Sequence, residues 1–189
     1  MQVVELTKNS EFKLNYRVNP DIIANHCLID IKTCGVCSTD IYRSHDNGAY
    51  HYPLVMGHEI AGIIEKVGSE VNEFCKGDKV SIFPLLPCFK CSQCNHQNYP
   101  LCEKYLYFGS RCDGGYSEKL LVPSWNLLNI SKNIDLKDAC FMEPTAVVVH
   151  ALKISGLLKK RGKKVLITGA GFLGLLLAEL INQSQLNHI

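Results

Sequence analysis

The sequence predicts a mostly β protein that changes near residue 135 into the first strand and helix of an α/β domain. Short segments that alternate apolar and polar residues, separated by turns, fill the first two-thirds of the chain. After Leu136 the pattern becomes helix, strand, glycine-rich turn and helix. We therefore predict an irregular all-β domain at 1–135 and the start of a dinucleotide-binding domain at 136–189.

The predicted β segments are short. The segment His26–Lys32 places Cys27, Ile29 and Ile31 on one face and charged residues on the other, which is typical of a half-buried strand. The remaining predicted strands cover 3–6, 12–17, a segment that follows Gly57-His58-Glu59 and ends at 67, 79–83, 116–122 and 127–130.

The predicted α/β segment begins with a helix over Thr145–Ile154, because Pro144 suits the first position of a helix. A short apolar strand is predicted at Lys163–Thr168. An apolar helix is predicted at Leu175–Ile181, directly after a glycine-rich turn.

Composition excludes several classes of function. The 189 residues carry a formal net charge of +2, which gives no support for binding nucleic acid or an anionic membrane. No apolar run is long enough to span a membrane, and the N-terminus lacks the pattern of a signal peptide. The ten cysteines are therefore expected to be reduced thiols in the cytoplasm, several of them metal-bound.

A single loop contains Cys88, Cys91, Cys94 and Cys102, the first three spaced two residues apart. Closely spaced thiolates can enclose a zinc ion in a tetrahedral site. Paired disulfides would need an oxidising compartment, and a ferredoxin cluster would need a Cys-Pro three residues after the third cysteine. The spacing favours a structural zinc, which has no open position for chemistry.

A second set of candidate metal ligands consists of Cys37, His58, Glu59 and Glu143, each at the end of a predicted strand or the start of a helix. A catalytic zinc takes about three protein ligands and keeps a position for water or substrate. Each residue also has a simpler reading: Cys37 as a buried thiol, His58 as a core histidine and Glu143 as a helix cap. The residues by themselves leave both interpretations open.

The chain resembles the zinc-dependent medium-chain dehydrogenase/reductase family, which includes the alcohol and sorbitol dehydrogenases. This resemblance implies a GroES-like irregular β-barrel followed by a Rossmann domain, with Cys37 and His58 on the catalytic zinc. Glu143 would supply a carboxylate, as in the polyol branch, and Glu59 would be a direct ligand or a neighbour of the ligands. The motifs are Cys34-Gly35-Val36-Cys37-Ser38-Thr39-Asp40, Gly57-His58-Glu59, Val67-Gly68, Gly77-Asp78-Lys79-Val80, the four-cysteine loop, Asp113-Gly114-Gly115 and Glu143-Pro144.

The resemblance implies an oxidoreductase that converts a secondary alcohol of a polyol or sugar phosphate to a ketone with NAD or NADP. Thr39 would be the first proton carrier, and Tyr42 occupies the position where alcohol dehydrogenases continue the relay with histidine. Tyr50 and Arg111 are candidate substrate residues. Arginine suits phosphate recognition, and a surface arginine without a ligand is the alternative for Arg111. A zinc-binding domain without catalysis and a reductase of another carbonyl compound are the alternatives. The relatives are expected to be homo-oligomers.

Gly169, Gly171 and Gly174 follow a predicted strand and precede an apolar helix, the context of a dinucleotide-binding turn. They would form the turn, admit the pyrophosphate and permit close packing, respectively. A glycine-rich turn without a ligand is the alternative. Because the family continues well beyond Ile189, we expect an N-terminal fragment that binds two zinc ions but neither binds NAD nor turns over. The residue that selects NAD or NADP would lie beyond it.

Overall fold

The computed structural model describes residues 1–45, 47–157 and 164–183. The chain forms two compact units, Met1–Phe141 and Met142–Ile189. The first unit consists mainly of β-strands, which confirms the predicted fold class. Its strands are β1 Gln2–Lys8, β2 Glu11–Tyr16, β3 His26–Gly35, β4 Leu54–Val55, β5 Glu59–Val67, β6 Lys79–Ile82, β7 Leu85–Leu86, β8 Leu106–Tyr107, β9 Lys119–Pro123 and β10 Leu127–Asn129.

The main sheet of the first unit has five antiparallel strands in the order β10-β6-β5-β3-β9. β3 lies in the interior of this sheet, between β5 and β9. Its neighbouring residues Cys27 and Leu28 are both buried, so at this point both faces of the strand are covered and not one face alone. Apolar side chains from this sheet form the largest core, which includes Ile29, Ile60 and Val80. This core supports the ends of β3 and β5, where the candidate ligands lie.

The remaining strands form smaller sheets. One has the order β2-β1-β4, and β7 pairs with β8. A single bridge between Val3 and Ser117 connects β1 to the segment before β9. The described strands thus form open sheets joined by irregular segments, in agreement with an irregular β domain.

The described residues of the first unit form three short α-helices, α1 Ser38–Ser44, α2 Ser92–Asn95 and α3 Leu136–Ala139, and two 3-10 helices, Tyr99–Leu101 and Ser124–Asn126. The residue pattern gave no indication of α1. It begins directly after Cys37, whose backbone N–H donates to Asp40 Oδ2 at 3.1 Å. This contact satisfies a backbone donor at the helix start.

The second unit contains α4 Met142–Ser155 and α5 Phe172–Gln183. The predicted strand Lys163–Thr168 is wrong for its described part, because residues 164–170 have no regular secondary structure. Lys163 itself lies outside the described residues. Strands are stabilised by pairing, and no described strand lies beside this segment. Both helices begin earlier than predicted, and Pro144 lies inside the first turn of α4.

Val148, Leu152 and Ile181 form the buried core of the second unit, with Val165 and Ile167 packed against it. Hydrophobic packing through Val165 and Ile167 therefore attaches this segment to the core of the second unit. Among residues 1–45, 47–157 and 164–183, no helix is long and apolar enough to cross a membrane.

Candidate metal centres

The four cysteines of the loop 88–102 converge. Their sulfur atoms all lie within 4.8 Å of one another, and the Cys88–Cys94 and Cys91–Cys102 pairs are each separated by 3.9 Å. Sulfurs at the corners of a tetrahedron with a zinc–sulfur distance of about 2.3 Å lie about 3.8 Å apart. Disulfide sulfurs lie about 2.05 Å apart, and all four cysteines are free. The spacing fits a tetrahedral metal site.

The local electrostatics of the cluster also suit a cation. Backbone N–H groups of Glu103 and Cys94 lower the pKa of Cys91 to about 6. Burial instead raises the pKa of Cys94 to about 12. A bound zinc ion would deprotonate its coordinating thiols outright and offset part of the charge of four thiolates in one loop. The donor set therefore fits zinc.

An aromatic cluster lies beside the cysteine loop. The indole of Trp125 makes edge contacts with the rings of Phe83, Phe89 and Tyr99 at centroid distances of 5.7, 5.1 and 5.3 Å. Phe89 and Tyr99 belong to the loop, whereas Phe83 follows β6. The cluster attaches the loop to the main sheet, so the loop has an apolar anchor in addition to its cysteines.

The second cluster consists of Cys37, His58 and Glu59, whose ligand atoms lie within 4.8 Å of one another. His58 and Glu59 are buried and Cys37 is half-buried. Thiolate, imidazole and carboxylate groups are all zinc ligands, and three of them leave a position for an exchangeable ligand. This set fits a catalytic zinc, in contrast to the closed four-cysteine cluster.

The sheet register brings the three residues together. Gly35, at the end of β3, pairs with Glu59 at the start of β5. A Cβ atom on Gly35 would overlap the Glu59 carboxylate, so glycine leaves the space that this side chain occupies. Gly57 has φ +91°, a backbone conformation that favours glycine, and turns the chain directly before His58.

Asp40 connects two of the candidate ligands, Cys37 and His58, and its sequence pattern predicted no role for it. Its side chain is 2% exposed; Oδ1 lies 3.5 Å from His58 Nδ1, and Oδ2 accepts from the Cys37 backbone and the Tyr116 hydroxyl. A carboxylate at one ring nitrogen of a histidine fixes the tautomer that binds metal through the other. Its position three residues after Cys37 was the only signal of this role in the sequence.

The loop 107–114 packs behind His58. A Cβ on Gly109 or Gly114 would overlap the backbone oxygen of Gly57. The Tyr107 ring meets the His58 ring edge-on, with centroids 5.8 Å apart. This loop, whose position follows only from tertiary packing, therefore forms one wall of the candidate site.

The other predicted site residues are distributed as follows. Thr39 is exposed in the first turn of α1, and Glu143 lies in the first turn of α4 in the second unit. Arg111 lies between Tyr50 and a second tyrosine, Tyr105. The glycine turn has the predicted character: Gly169 has φ +95°, and a Cβ on Gly174 would overlap the Gly169 carbonyl, while Gly171 faces open space.

A β domain that combines a four-cysteine cluster with a separate cysteine–histidine–carboxylate set has the ligands for one closed and one open zinc site. The chain is a member of the alcohol dehydrogenase GroES-like domain family, whose sequence profile matches residues 23–132. The resemblance to zinc-dependent alcohol and polyol dehydrogenases is thereby confirmed.

Several relatives within this family are similar to the chain over most of its length. Galactitol 1-phosphate 5-dehydrogenase of Escherichia coli (strain K12) is 40% identical over 148 residues, covering 78% of this chain and 42% of that protein. L-galactonate-5-dehydrogenase of the same strain is 38% identical over 152 residues, covering 80% and 44%. The crystal structure of galactitol-1-phosphate dehydrogenase from Escherichia coli has a TM-score of 0.89 at 35% identity, covering 97% of this chain and 53% of that chain.

A protein described as a zinc-binding dehydrogenase from Sinorhizobium meliloti 1021, bound to NADP, has a TM-score of 0.90 at 30% identity. The match covers 97% of this chain and 53% of that chain. The present chain thus spans about half the length of the relatives that it matches.

Proposed function

We propose that the chain is the metal-binding part of a zinc-dependent oxidoreductase that oxidises a secondary alcohol of a polyol or sugar phosphate to a ketone. The observation that carries this proposal is the convergence of Cys37, His58 and Glu59 within 4.8 Å. The relatives with names that specify a substrate support it, since galactitol 1-phosphate 5-dehydrogenase and L-galactonate-5-dehydrogenase act on sugar derivatives.

Two zinc ions per chain are proposed. Cys88, Cys91, Cys94 and Cys102 would hold a structural zinc, and Cys37, His58 and Glu59 would hold a catalytic zinc. Glu143 stays a ligand predicted from the resemblance. A catalytic zinc supplies Lewis-acid chemistry, which lowers the pKa of a hydroxyl group bound to it. Carboxylate in place of thiolate makes such a site harder and better suited to the neighbouring hydroxyls of a polyol.

The residues around the catalytic site would orient its ligands and transfer the proton. Asp40 would keep the His58 proton on Nδ1 and leave Nε2 for the metal. Thr39 lies two residues after Cys37 on the exposed side of α1, so its hydroxyl is the proposed first carrier of the proton lost by the substrate. Tyr42 is 71% exposed and would lead towards solvent.

The proposed cofactor is NAD or NADP, which accepts the hydride. Gly169, Gly171 and Gly174 would receive its pyrophosphate at the start of α5, where backbone N–H groups favour an anion. The Sinorhizobium meliloti relative bound to NADP supports this class of cofactor. The predicted homo-oligomer, the cytoplasmic location and the absence of nucleic-acid and membrane partners stay predictions.

The test is metal replacement followed by addition of a polyol. The purified chain, loaded with cobalt, is expected to bind two ions, and galactitol 1-phosphate or sorbitol is expected to change the visible spectrum of the ion at Cys37. Cys37→Ser should remove that response and leave the four-cysteine ion. A polyol-insensitive spectrum would contradict the proposal and favour a zinc-binding domain without catalysis. Addition of NAD and NADP then tests the prediction that residues 1–189 alone bind neither dinucleotide.

A further inference from the structure

Arg111 is held between two aromatic rings. Its guanidinium carbon lies 4.4 Å from the centroid of the Tyr50 ring and 4.4 Å from the centroid of the Tyr105 ring. Tyrosine rings over the guanidinium stabilise its charge by cation–π interaction and restrict its rotation. The N–H donors of a planar guanidinium lie at its edge. Within the described part of the chain, the side-chain contact given for these donors is that of the NH2 nitrogen, 3.5 Å from the Tyr50 hydroxyl.

The charge of Arg111 is not compensated by a carboxylate in the part of the chain that the structure describes. Other arginines differ: Arg17 pairs with Glu5 and Asp113, and Arg43 lies 3.6 Å from Asp40. Guanidinium donors without a carboxylate are suited to two parallel hydrogen bonds with a phosphate or carboxylate. The two rings therefore hold an unneutralised anion-binding group in a defined orientation.

The loop that carries Arg111 also lines the candidate catalytic site. The Arg111 backbone N–H donates to the Tyr107 carbonyl oxygen at 3.0 Å, and the Tyr107 ring contacts the His58 ring. Gly109, two residues earlier, packs on the backbone of Gly57. A ligand at His58 would thus have Arg111 on the adjacent loop of the same compact unit.

We propose that Arg111, with Tyr50 and Tyr105, forms an anion clamp that selects polyols carrying a terminal phosphate or carboxylate over neutral polyols. This inference rests on the proposed function, because it requires a polyol hydroxyl at the metal site. The clamp holds the anionic end of the substrate while the metal holds the reacting end. The names of two relatives, galactitol 1-phosphate 5-dehydrogenase and L-galactonate-5-dehydrogenase, specify sugar derivatives with such a group.

The experiment compares ligands on the cobalt-loaded chain. Galactitol, galactitol 1-phosphate, galactonate and inorganic phosphate are titrated, with the cobalt spectrum and the NMR signal of Arg111 Nε–H as readouts. Galactitol 1-phosphate or galactonate is expected to bind about tenfold or more tightly than galactitol, the effect of one charge-assisted contact. Arg111→Gln should abolish this preference and leave galactitol binding unchanged. The two anionic ligands distinguish a phosphate site from a carboxylate site.

Matched variants separate the clamp from a general charge effect and from a purely structural role. Lys104→Gln removes an exposed positive charge from the same segment and should keep the preference. Tyr105→Phe keeps the aromatic ring and should therefore keep the preference for anionic polyols. Tyr105→Leu removes the ring and should reduce this preference. Arg111→Lys, which keeps the charge but not the planar group, should retain only part of the preference and provides a folded alternative if Arg111→Gln is unstable.

Two results would overturn the clamp. One is equal affinity of the parent chain for anionic and neutral polyols. The other is an equal loss of affinity for anionic and neutral polyols in Arg111→Gln. If both polyols still perturb the cobalt spectrum, only the clamp fails and the proposed function stands. If neither perturbs it, both fail.

Discussion

The carboxylate of Asp40 lies 3.5 Å from His58 Nδ1 and, through its other oxygen, accepts from the Cys37 backbone N–H at 3.1 Å. One buried carboxylate thus contacts both the thiol-bearing and the imidazole-bearing residue of the open metal set. The Tyr116 hydroxyl, 3.1 Å from the same Oδ2 atom, completes the arrangement. Burial, together with the nearby Asp40 charge, raises the pKa of Tyr116, so that this group stays a neutral donor.

Asp40→Asn is expected to weaken metal binding at the open site by about 10–100-fold, because an amide no longer fixes the His58 tautomer. The four-cysteine site should keep its affinity. Competition with a coloured zinc chelator measures both sites. Asp30→Asn is the control, since Asp30 is a partly exposed carboxylate on β3 that pairs with Lys32. Equal affinities for Asp40→Asn and Asp30→Asn would contradict the positioning role.

Gly35→Ala tests whether Glu59 belongs to the metal site. The added Cβ would overlap the Glu59 carboxylate and displace it, so the affinity of the open site should fall. Overpacking of this kind costs about 1–3 kcal/mol of stability. Gly171→Ala is the control, because a Cβ there meets nothing within 4 Å. An unchanged metal affinity in a Gly35→Ala protein of reduced stability would exclude Glu59 as a direct ligand.

Cys94→Ser is expected to release one zinc ion per chain and lower the thermal midpoint, while the other zinc ion remains. Structural zinc in small motifs contributes on the order of 10 kcal/mol of binding free energy, part of which stabilises the fold. Cys75→Ser removes an exposed cysteine outside both clusters and should change neither quantity. Zinc analysis and calorimetric melting provide the measurements. A Cys94→Ser chain that keeps two zinc ions and the parent midpoint would refute the assignment.

Glu5 should make the stability depend on pH on the acid side. The hydrogen bond from Asn15 is the main factor that lowers the pKa of Glu5 below 4.5, and Arg17 lowers it further against the opposing effect of burial. A depressed pKa in the folded state adds stability that is fully present above the unfolded pKa and is lost as pH falls through the folded pKa. The free energy of unfolding of the parent, measured with urea, should therefore decrease as the pH falls below about 4.5.

Glu5→Gln should lower the free energy of unfolding by about 1–3 kcal/mol at neutral pH, where the charged hydrogen bonds are lost. The difference from the parent should shrink as the pH falls below 4.5, the ordinary pKa of this group. Glu70→Gln, a change at an exposed carboxylate, is the control. A parent–variant difference that is independent of pH would show that the Glu5 charge contributes nothing.

The cysteine spacing predicted the convergence of the four-cysteine set, and the family resemblance predicted that of Cys37, His58 and Glu59. Loop ligands only two residues apart have little freedom to separate, so sequence distance determines most of the geometry of Cys88, Cys91 and Cys94. Alternation of apolar residues likewise predicted the strands of the main sheet. The helix after Cys37 was missed because a capping contact from Asp40, and not an apolar period, starts it.

Contacts between residues that are far apart in the chain could not be predicted from sequence patterns. Gly35 faces Glu59 through strand register, and Gly57 meets Gly109 and Gly114 through backbone contact. The rings of Tyr50 and Tyr105 reach Arg111 from separate loops. An apolar run predicted a strand at residues 164–168, but a strand also needs a pairing partner, which the run itself cannot provide. The sequence by itself determined the ligand chemistry, since that resides in residue types and short spacings; tertiary packing decided which neighbours orient those ligands, because such contacts join segments that no local period relates.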